Sequence, residues 1–418
     1  MPRRGLFSYE NALVLILGLT FGVVFFDRQA ASNLMVFIRP DLHLNGTQVG
    51  LIGSALSLTW AISAYGVGLL SDRTGKRKSI LIACVVGFSI CSAISGWAPT
   101  FGVLAASRVF MGMLEGGVMP ICLAIMAVES SERRRGLNAG IVQNGFSNLV
   151  GNSMGPILLI WIAATAGWRT AFYVAALPGL LCALAIWLWV KEPPKEALAH
   201  GEVEARHMSF WQMVKVRNVA VCSLVSIFMV AWLITGFAFL PIYFTEQRHL
   251  TPQTSSFLMA ALGMCAFAGG ALLPGLSDRI GRKPVLLIGC FASILAPLAA
   301  LYFQGPVWML GAAVFVGWVG NGVFPMFMGT IPGESLPRAS IATAMGIVVG
   351  VGEILGGVAG PFIAGQLMDS TSLKLQAPMF LMAGCALIAG CIALFLKETA
   401  PAKVGTAAGQ AIPAKMAA

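Results

Sequence analysis

The feature that most constrains this chain is a series of twelve long apolar runs, nearly free of charge and joined by short polar turns. They lie near residues 11–31, 47–70, 78–97, 101–128, 137–162, 168–190, 218–245, 253–277, 283–303, 307–332, 339–365 and 376–396. A helix of about 20 apolar residues matches the hydrocarbon thickness of a bilayer. Backbone in lipid must bond within itself, which leaves a helix bundle or a closed barrel. Barrel strands alternate apolar and polar residues, whereas these runs are continuous. Only 11% of the 418 residues are charged and 57% are hydrophobic, against about 25% charged in a soluble domain. The expected fold class is an all-α membrane protein with twelve transmembrane helices.

The formal net charge of +10 would suit nucleic acid, but its distribution does not. Arg3, Arg4, the run from Arg73 to Lys78, Arg133 to Arg135, the central linker, Arg279 to Lys283, Arg338 and the tail fall on one side. Together they hold 21 of the 27 Lys and Arg residues. Arg39, Arg169, Arg248 and Lys374 fall on the other. This asymmetry places both termini in the cytoplasm and the protein in the inner (plasma) membrane, with lipid as its surroundings and no nucleic-acid partner. The nine Cys lie in hydrophobic stretches without ligand spacing, and the seven-residue step from Cys84 to Cys91 reads as packing. No disulfide framework, metal site or cofactor is expected. The first run leads to no small-residue cleavage site, so it reads as a retained helix.

Residues 191–217 form the only long polar interior stretch. It separates an N-terminal six-helix bundle, 1–190, from a C-terminal one, 218–398, followed by a tail at 399–418 expected to be disordered. The halves repeat. GLLSDRTGKRK after the second run contains Gly68, Asp72, Arg73, Gly75, Lys76 and Arg77; GLSDRIGRK after the eighth contains Asp278, Arg279, Gly281, Arg282 and Lys283. Asp278 follows Asp72 by 206 residues, and NGVFP at Pro325 follows GGVMP at Pro120 by 205. Two matches at nearly one offset indicate a duplicated six-helix unit, as suits a carrier that rocks about a midplane site.

The loop from Gly68 to Arg77 resembles the signature loop of the major facilitator superfamily; its second copy has Pro274 at the glycine position. That resemblance implies a gating role for the loop, between the second and eleventh helices. Arg108-x-x-x-Gly112-x-x-Glu115-Gly116, with Asp27-Arg28 in the first run, is similar to the anion:cation symporter family. The resemblance implies acids that carry protons and arginines that meet an acidic substrate. Ala30 stands where that family often has Asn, so the substrate stays open. The same pairs also resemble spinster-type lipid transporters.

Five ionisable residues fall inside the runs: Asp27, Arg28, Arg108, Glu115 and Glu353. A charge at the bilayer centre costs at least about 3 kcal/mol, so these should face the bundle interior and find partners. Arg108 and Glu115 are two helical turns apart, on one face, about 10 Å along the axis. Asp27 and Arg28 fall in the outer half of the first run, at a depth that lets all four surround one cavity. With the acids ionised, the arginines are neutralised; protonating Asp27 and Glu115 frees Arg28 and Arg108 for a carboxylate. A permanent ion-pair cluster that only orders the helices is the alternative, and residues near a helix end can also snorkel. Glu353 reads equally as a second proton site, a substrate contact or a neutral acid bonded to a carbonyl.

Asn144, Asn148 and Asn152 recur every four residues beside Gln143, and Asn321 precedes the repeat proline. They either bond substrate oxygens or join helices. Trp232 is expected to wall the cavity, and Tyr243 to wall it or anchor at the interface. The four His, at 43, 200, 207 and 249, lie outside the runs, which leaves carboxylates as proton carriers and counts against a hydrolase or a zinc enzyme. The expected function is monomeric, proton-coupled symport of a small organic anion, such as a sugar acid or aromatic acid. Proton-coupled export of a lipid or drug-like amphiphile is the alternative.

Overall fold

The computed structural model describes residues 8–131, 134–192, 208–337 and 340–404. Arg3, Arg4, Arg133, Arg338, His200, His207, residues 193–207 of the linker and the tail beyond Val404 lie outside the described residues, as does the side chain of Asp72. Twelve helices are long and apolar enough to cross a membrane. They are α1 (Tyr9–Asp41), α2 (Gly46–Ser71), α3 (Arg77–Trp97), α4 (Phe101–Glu129), α5 (Gly136–Ala166) and α6 (Trp168–Trp189). The second six are α7 (Arg217–Gln247), α8 (Pro252–Ile280), α9 (Arg282–Tyr302), α10 (Val307–Glu334), α11 (Thr343–Ser370) and α12 (Gln376–Ala393). Among the described residues there is no strand.

The first helix departs most from expectation, running to Asp41 rather than stopping near residue 31. Hydropathy falls at Gln29 and Asn33, yet both are buried, and Asn33 Nδ2 donates to the Gln29 carbonyl at 3.0 Å. Beyond them Leu34, Met35 and Ile38 are buried again. Asp27 is therefore 14 residues from the helix end, about 20 Å. That distance removes snorkelling as an account of Asp27 and Arg28. Likewise α11 spans Thr343–Ser370, several residues later than 339–365.

Packing groups the chain into two units. The first takes α1–α6 together with Ile234–Phe267 and Gly357–Pro378; the second holds the remainder. The first unit thus joins the N-terminal half to pieces of the C-terminal half.

In the first unit, one core of Leu17, Phe21, Val85, Phe88, Met111, Ile121 and Val142 draws on α1, α3, α4 and α5. Two small-residue seams set the helix approaches. At Gly112 and Gly116 the α4 backbone lies on α2; a Cβ on Gly112 would meet the Leu56 carbonyl at 2.5 Å, and one on Gly116 the Ala64 nitrogen at 2.9 Å. At Gly46 and Gly50, α2 lies on α11. A Cβ on Gly50 would overlap the Pro361 carbonyl, and one on Gly365 would meet Thr47 Cα at 2.9 Å. Small residues at this spacing let helices touch by their backbones. The α2–α11 seam is closed by polar contacts: Ser54 Oγ donates to the Val358 carbonyl at 2.6 Å, and the Asp369 carboxylate accepts from Gly46 N (2.8 Å), Thr47 N (2.7 Å) and Thr47 Oγ1 (2.6 Å). Asp369 thus satisfies amides at the start of α2 that lack intrahelical partners. At the same end Arg39 pairs with Glu246, and Arg169 with Asp41 at 2.8 Å.

In the second unit Arg282 is the hub. It pairs with Asp278 at 2.6 Å and Glu334 at 2.7 Å, and donates to Ser277 Oγ at 2.5 Å. Glu398 accepts from the backbone of Arg282 (2.7 Å), Lys283 (3.1 Å), Thr399 (3.0 Å) and Ala400 (2.9 Å). The first unit holds a matching contact, Glu192 accepting from Lys78 N at 3.0 Å, with Glu192 and Glu398 again 206 residues apart. The duplication therefore extends to a carboxylate at the start of α3 and of α9. Residues 399–404 of the tail are part of this arrangement: Thr399 Oγ1 donates to Glu334 at 2.6 Å and Ala400 is buried.

Gly50→Leu should force the α2–α11 seam apart. Spin labels at His43 and Ser370 should then read a longer distance by double electron–electron resonance, while Gly66→Ala, whose Cβ meets open space, leaves it unchanged. A second expectation concerns Glu398. Burial pushes its carboxyl up, but the four backbone donors outweigh this and hold it below the usual carboxylate range. A lowered folded value gives stability that is present above the unfolded value and lost as pH falls through the folded one. Glu398→Gln should therefore lower stability by about 1 kcal/mol at neutral pH. In thermal melts that deficit should shrink below about pH 4.3 and vanish in stronger acid.

Candidate functional site

Four of the five intraspan ionisable residues converge in the first unit. Asp27, Arg108 and Glu115 are fully buried and Arg28 is 8% exposed. The long α1 carries Asp27 and Arg28 to mid-helix, and the glycine seam of α4 presses Arg108 and Glu115 towards α2. The first α-helical section of α4 ends at Glu115; the next begins at Val118. The breaks expected of a carrier's midplane lie at this point.

Asp27 and Arg108 are held by neutral hydrogen-bond partners. Asp27 Oδ1 accepts from Ser92 Oγ on α3 at 2.5 Å, and Oδ2 has no hydrogen-bond partner among the described residues. Neither oxygen of Glu115 has one. Arg108 donates to Ser95 Oγ and, at 3.4 Å, to the Asp27 main-chain carbonyl. Its guanidinium lies 5.2 Å from the Phe172 ring centre on α6. Ser95 Oγ and Ser107 Oγ are 2.8 Å apart. Arg28 sits over Trp60 of α2 at 4.9 Å and near Phe25 at 5.9 Å. The arginine–carboxylate pairing expected for Arg108 is thus replaced by the Ser95 hydroxyl and a main-chain carbonyl, although Asp27 and Glu115 remain its leading electrostatic neighbours. Glu115 has Arg28 as its main attractive neighbour, ahead of Arg108.

A buried charge without a partner costs several kcal/mol, so this arrangement has reason to change protonation or to recruit a counter-ion. Both arginines reach a cavity lined also by Gln29, Ser32, Ser57 and Phe237. Its free volume is about 30 Å³, enough for water and too little for an organic acid. Asp27 and Glu115 are not among the residues that line it.

The other sequence candidates sit elsewhere. Asn144 is exposed, Asn148 half-buried and Asn152 buried, along two π-helical segments, Ile141–Gly145 and Ser147–Met154. Asn148 donates to the Asn144 carbonyl and Asn152 to Asn148 Oδ1, both at 3.0 Å, so much of their capacity is spent within α5. π turns inside helices recur at functional sites. Trp232 is fully buried, 4.4 Å from Trp318 between ring centres, and its Nε1 donates to the Ser293 carbonyl at 3.1 Å. A break in α9 between Ala292 and Leu295 accounts for that carbonyl needing a donor. Tyr243 is buried too, in a π turn, rather than anchored at an interface. Asn321, on a 3₁₀ turn of α10, and Glu353, on a π turn of α11, are half-buried and belong to the second unit. Of the loop motifs, Gly75 takes the left-handed conformation (φ 68°) that ends α2. Gly68 faces Pro120 without crowding. Arg77 is buried, whereas Arg73, Lys76 and Arg279 are exposed. In the second copy Arg282, not Arg279, makes the ion pairs. The three serines went unread because a serine in a helix carries no signal until its neighbours are known.

Comparison with known proteins agrees with this architecture. The chain is 27% identical over 337 residues to the probable 4-methylmuconolactone transporter of Cupriavidus pinatubonensis, covering 79% of this chain and 78% of that one. It is 25% identical over 411 residues to the hexuronate transporter of Bacillus subtilis (93% and 94%). It is 28% identical over 410 residues to the 3-(3-hydroxy-phenyl)propionate transporter of Escherichia coli (92% and 96%). In fold it matches a bacterial homologue of the human lysosomal transporter Spinster, in an inward-facing and unoccupied conformation. The TM-score is 0.73 at 19% identity, over 94% of this chain and 97% of that one. A family model matches residues 17–354 and, in a second alignment, 276–418, so the twelve-helix chain with its duplicated loop belongs to the Major Facilitator Superfamily.

Proposed function

We propose that this transporter carries a small organic anion inward together with protons, with both termini in the cytoplasm. The observation that carries the reading is the convergence of two buried acids and two arginines in one unit, with the arginines lining a cavity. The curated relatives support it, since the hexuronate and 3-(3-hydroxy-phenyl)propionate transporters are named for carboxylates. On this orientation the α2–α11 seam lies at the outer face.

The chemistry follows from charge balance. Arg28 and Arg108 offer two cations to a carboxylate. Entry of the anion beside two ionised acids would add like charge in a low-dielectric space, which is strongly unfavourable. Protonating Asp27 or Glu115 removes that repulsion, so anion and proton enter together. After the anion leaves, the ionised acids again balance the arginines, and the carrier returns. The acid–arginine set has no copy in the second half: the position 205 residues after Glu115 is Gly320, and that after Arg108 is Ala313. Coupling is therefore assigned to the first unit. Asn144 and Asn148 are candidate substrate contacts within the same unit. Amphiphile export, the other reading, predicts the opposite direction of net substrate movement for the same proton gradient.

In proteoliposomes with an inward proton gradient, Glu115→Gln should abolish concentrative uptake of hexuronate or 3-(3-hydroxy-phenyl)propionate while anion counterflow persists. Normal accumulation would remove Glu115 as a required proton carrier. Arg108→Ala should weaken both uptake and counterflow by about tenfold or more, because a hydrogen-bonded charge contact is lost.

A further inference from the structure

We propose that α3 carries the positioning residues of the coupling site: Ser95, backed by Ser107, is the seat of Arg108 when no anion is bound, and Ser92 is the seat of Asp27 in both of its protonation states. This rests on the coupled-transport reading above. Ser92 and Ser95 are three residues apart, on one face of the helix, and both are fully buried. One helix therefore holds a proton carrier and an anion-binding cation from neighbouring positions.

The hydrogen bonds around Ser92 suit a group that gains and loses a proton. Its Oγ is 2.5 Å from Asp27 Oδ1 and 3.3 Å from the Phe172 carbonyl. A hydroxyl has one proton to donate and lone pairs to accept with. Facing ionised Asp27, Ser92 donates to the carboxylate. Facing protonated Asp27, it accepts the carboxyl proton and turns its own towards Phe172. No side chain has to move, and neither state leaves Asp27 Oδ1 unpaired.

Ser95 does for Arg108 what a carboxylate would do less well. Its Oγ accepts from Arg108 Nη2, and its proton has two acceptors at 2.8 Å, the Cys91 carbonyl and Ser107 Oγ. Ser107 in turn donates to the Leu104 carbonyl at 2.6 Å. The seat satisfies the guanidinium without neutralising it, so the positive charge stays available to an incoming anion. Without the seat, Arg108 would turn to its electrostatic neighbours Asp27 and Glu115, and a closed ion pair would compete with the substrate. The titratable or charged groups that face this cluster are Arg28 on α1, Cys91 on α3, and Arg108 and Glu115 on α4.

The test pairs a spectroscopic readout with transport. In membranes holding the purified full chain, infrared titration follows the protonated-carboxyl band, with the Asp27 and Glu115 components assigned by their loss in Asp27→Asn and Glu115→Gln. Ser92→Ala should move the pH midpoint of the Asp27 component, and Ser95→Ala should move both components. Ser92→Thr and Ser95→Thr, which keep the hydroxyl, should restore them. Ser89→Ala, which removes a buried hydroxyl on α3 bonded only to the Val85 carbonyl, should leave them in place. In proteoliposomes, Ser95→Ala should raise the KM for the organic anion about tenfold with a smaller change in maximal rate, and Ser92→Ala should shift the pH profile of uptake. Unmoved carboxyl midpoints in both alanine variants would overturn the proposal. If the midpoints move as expected but the wild-type protein accumulates no organic anion, the coupled-transport reading fails while the positioning roles stand.

Discussion

Everything in this molecule is arranged around the cost of placing charge where there is no water. Twelve helices exclude it, and only a few ionisable side chains are allowed inside them. Each charge admitted to the first unit is met by something specific: an aromatic face beside Arg28, a serine pair under Arg108, a serine hydroxyl on Asp27. Glu115 is met by charges at a distance rather than by a hydrogen bond. Such a set cannot be indifferent to protons, because each protonation changes the balance by a whole charge in a low-dielectric space.

Two glycine seams turn that balance into a positioned site. Gly112 and Gly116 bring α4 onto the α2 backbone and so bring Arg108 and Glu115 to α1 and α3. Gly46, Gly50 and Gly365 bring α2 onto α11, where Asp369 completes the start of α2. Backbone contact of this kind makes or breaks as a unit, since a larger side chain has no space and a small displacement loses several contacts together. The site and the α2–α11 seam therefore share one helix, α2, with the α4 seam further along it than the α11 seam.

Much of this was legible in the chain itself. Hydrocarbon-length apolar runs reveal spans because lipid leaves the backbone no other solution, and the 205–206-residue offset reveals duplication. The convergence of Asp27, Arg28, Arg108 and Glu115 followed from helix geometry and from the expense of leaving them in lipid. The end of α1 was not legible, because Gln29 and Asn33 look like a boundary until the bundle buries them. Trp232 looked like a cavity wall, and only the break in α9 shows which carbonyl its indole serves. Glu192 and Glu398 obey the same offset as the loop motif and could have been found by extending it. That the first unit draws in pieces of the C-terminal half depends on which helix ends touch, and no local pattern encodes that.

The central claim is that anion and proton move as one charge-balanced load. It is tested most directly by loading proteoliposomes with a pH-sensitive dye, holding the membrane potential at zero, and adding 3-(3-hydroxy-phenyl)propionate outside. The account predicts that the lumen acidifies in step with anion entry. It also predicts that replacing Asp27 and Glu115 together by their amides abolishes the acidification. Anion entry at the wild-type rate with no proton movement would contradict it.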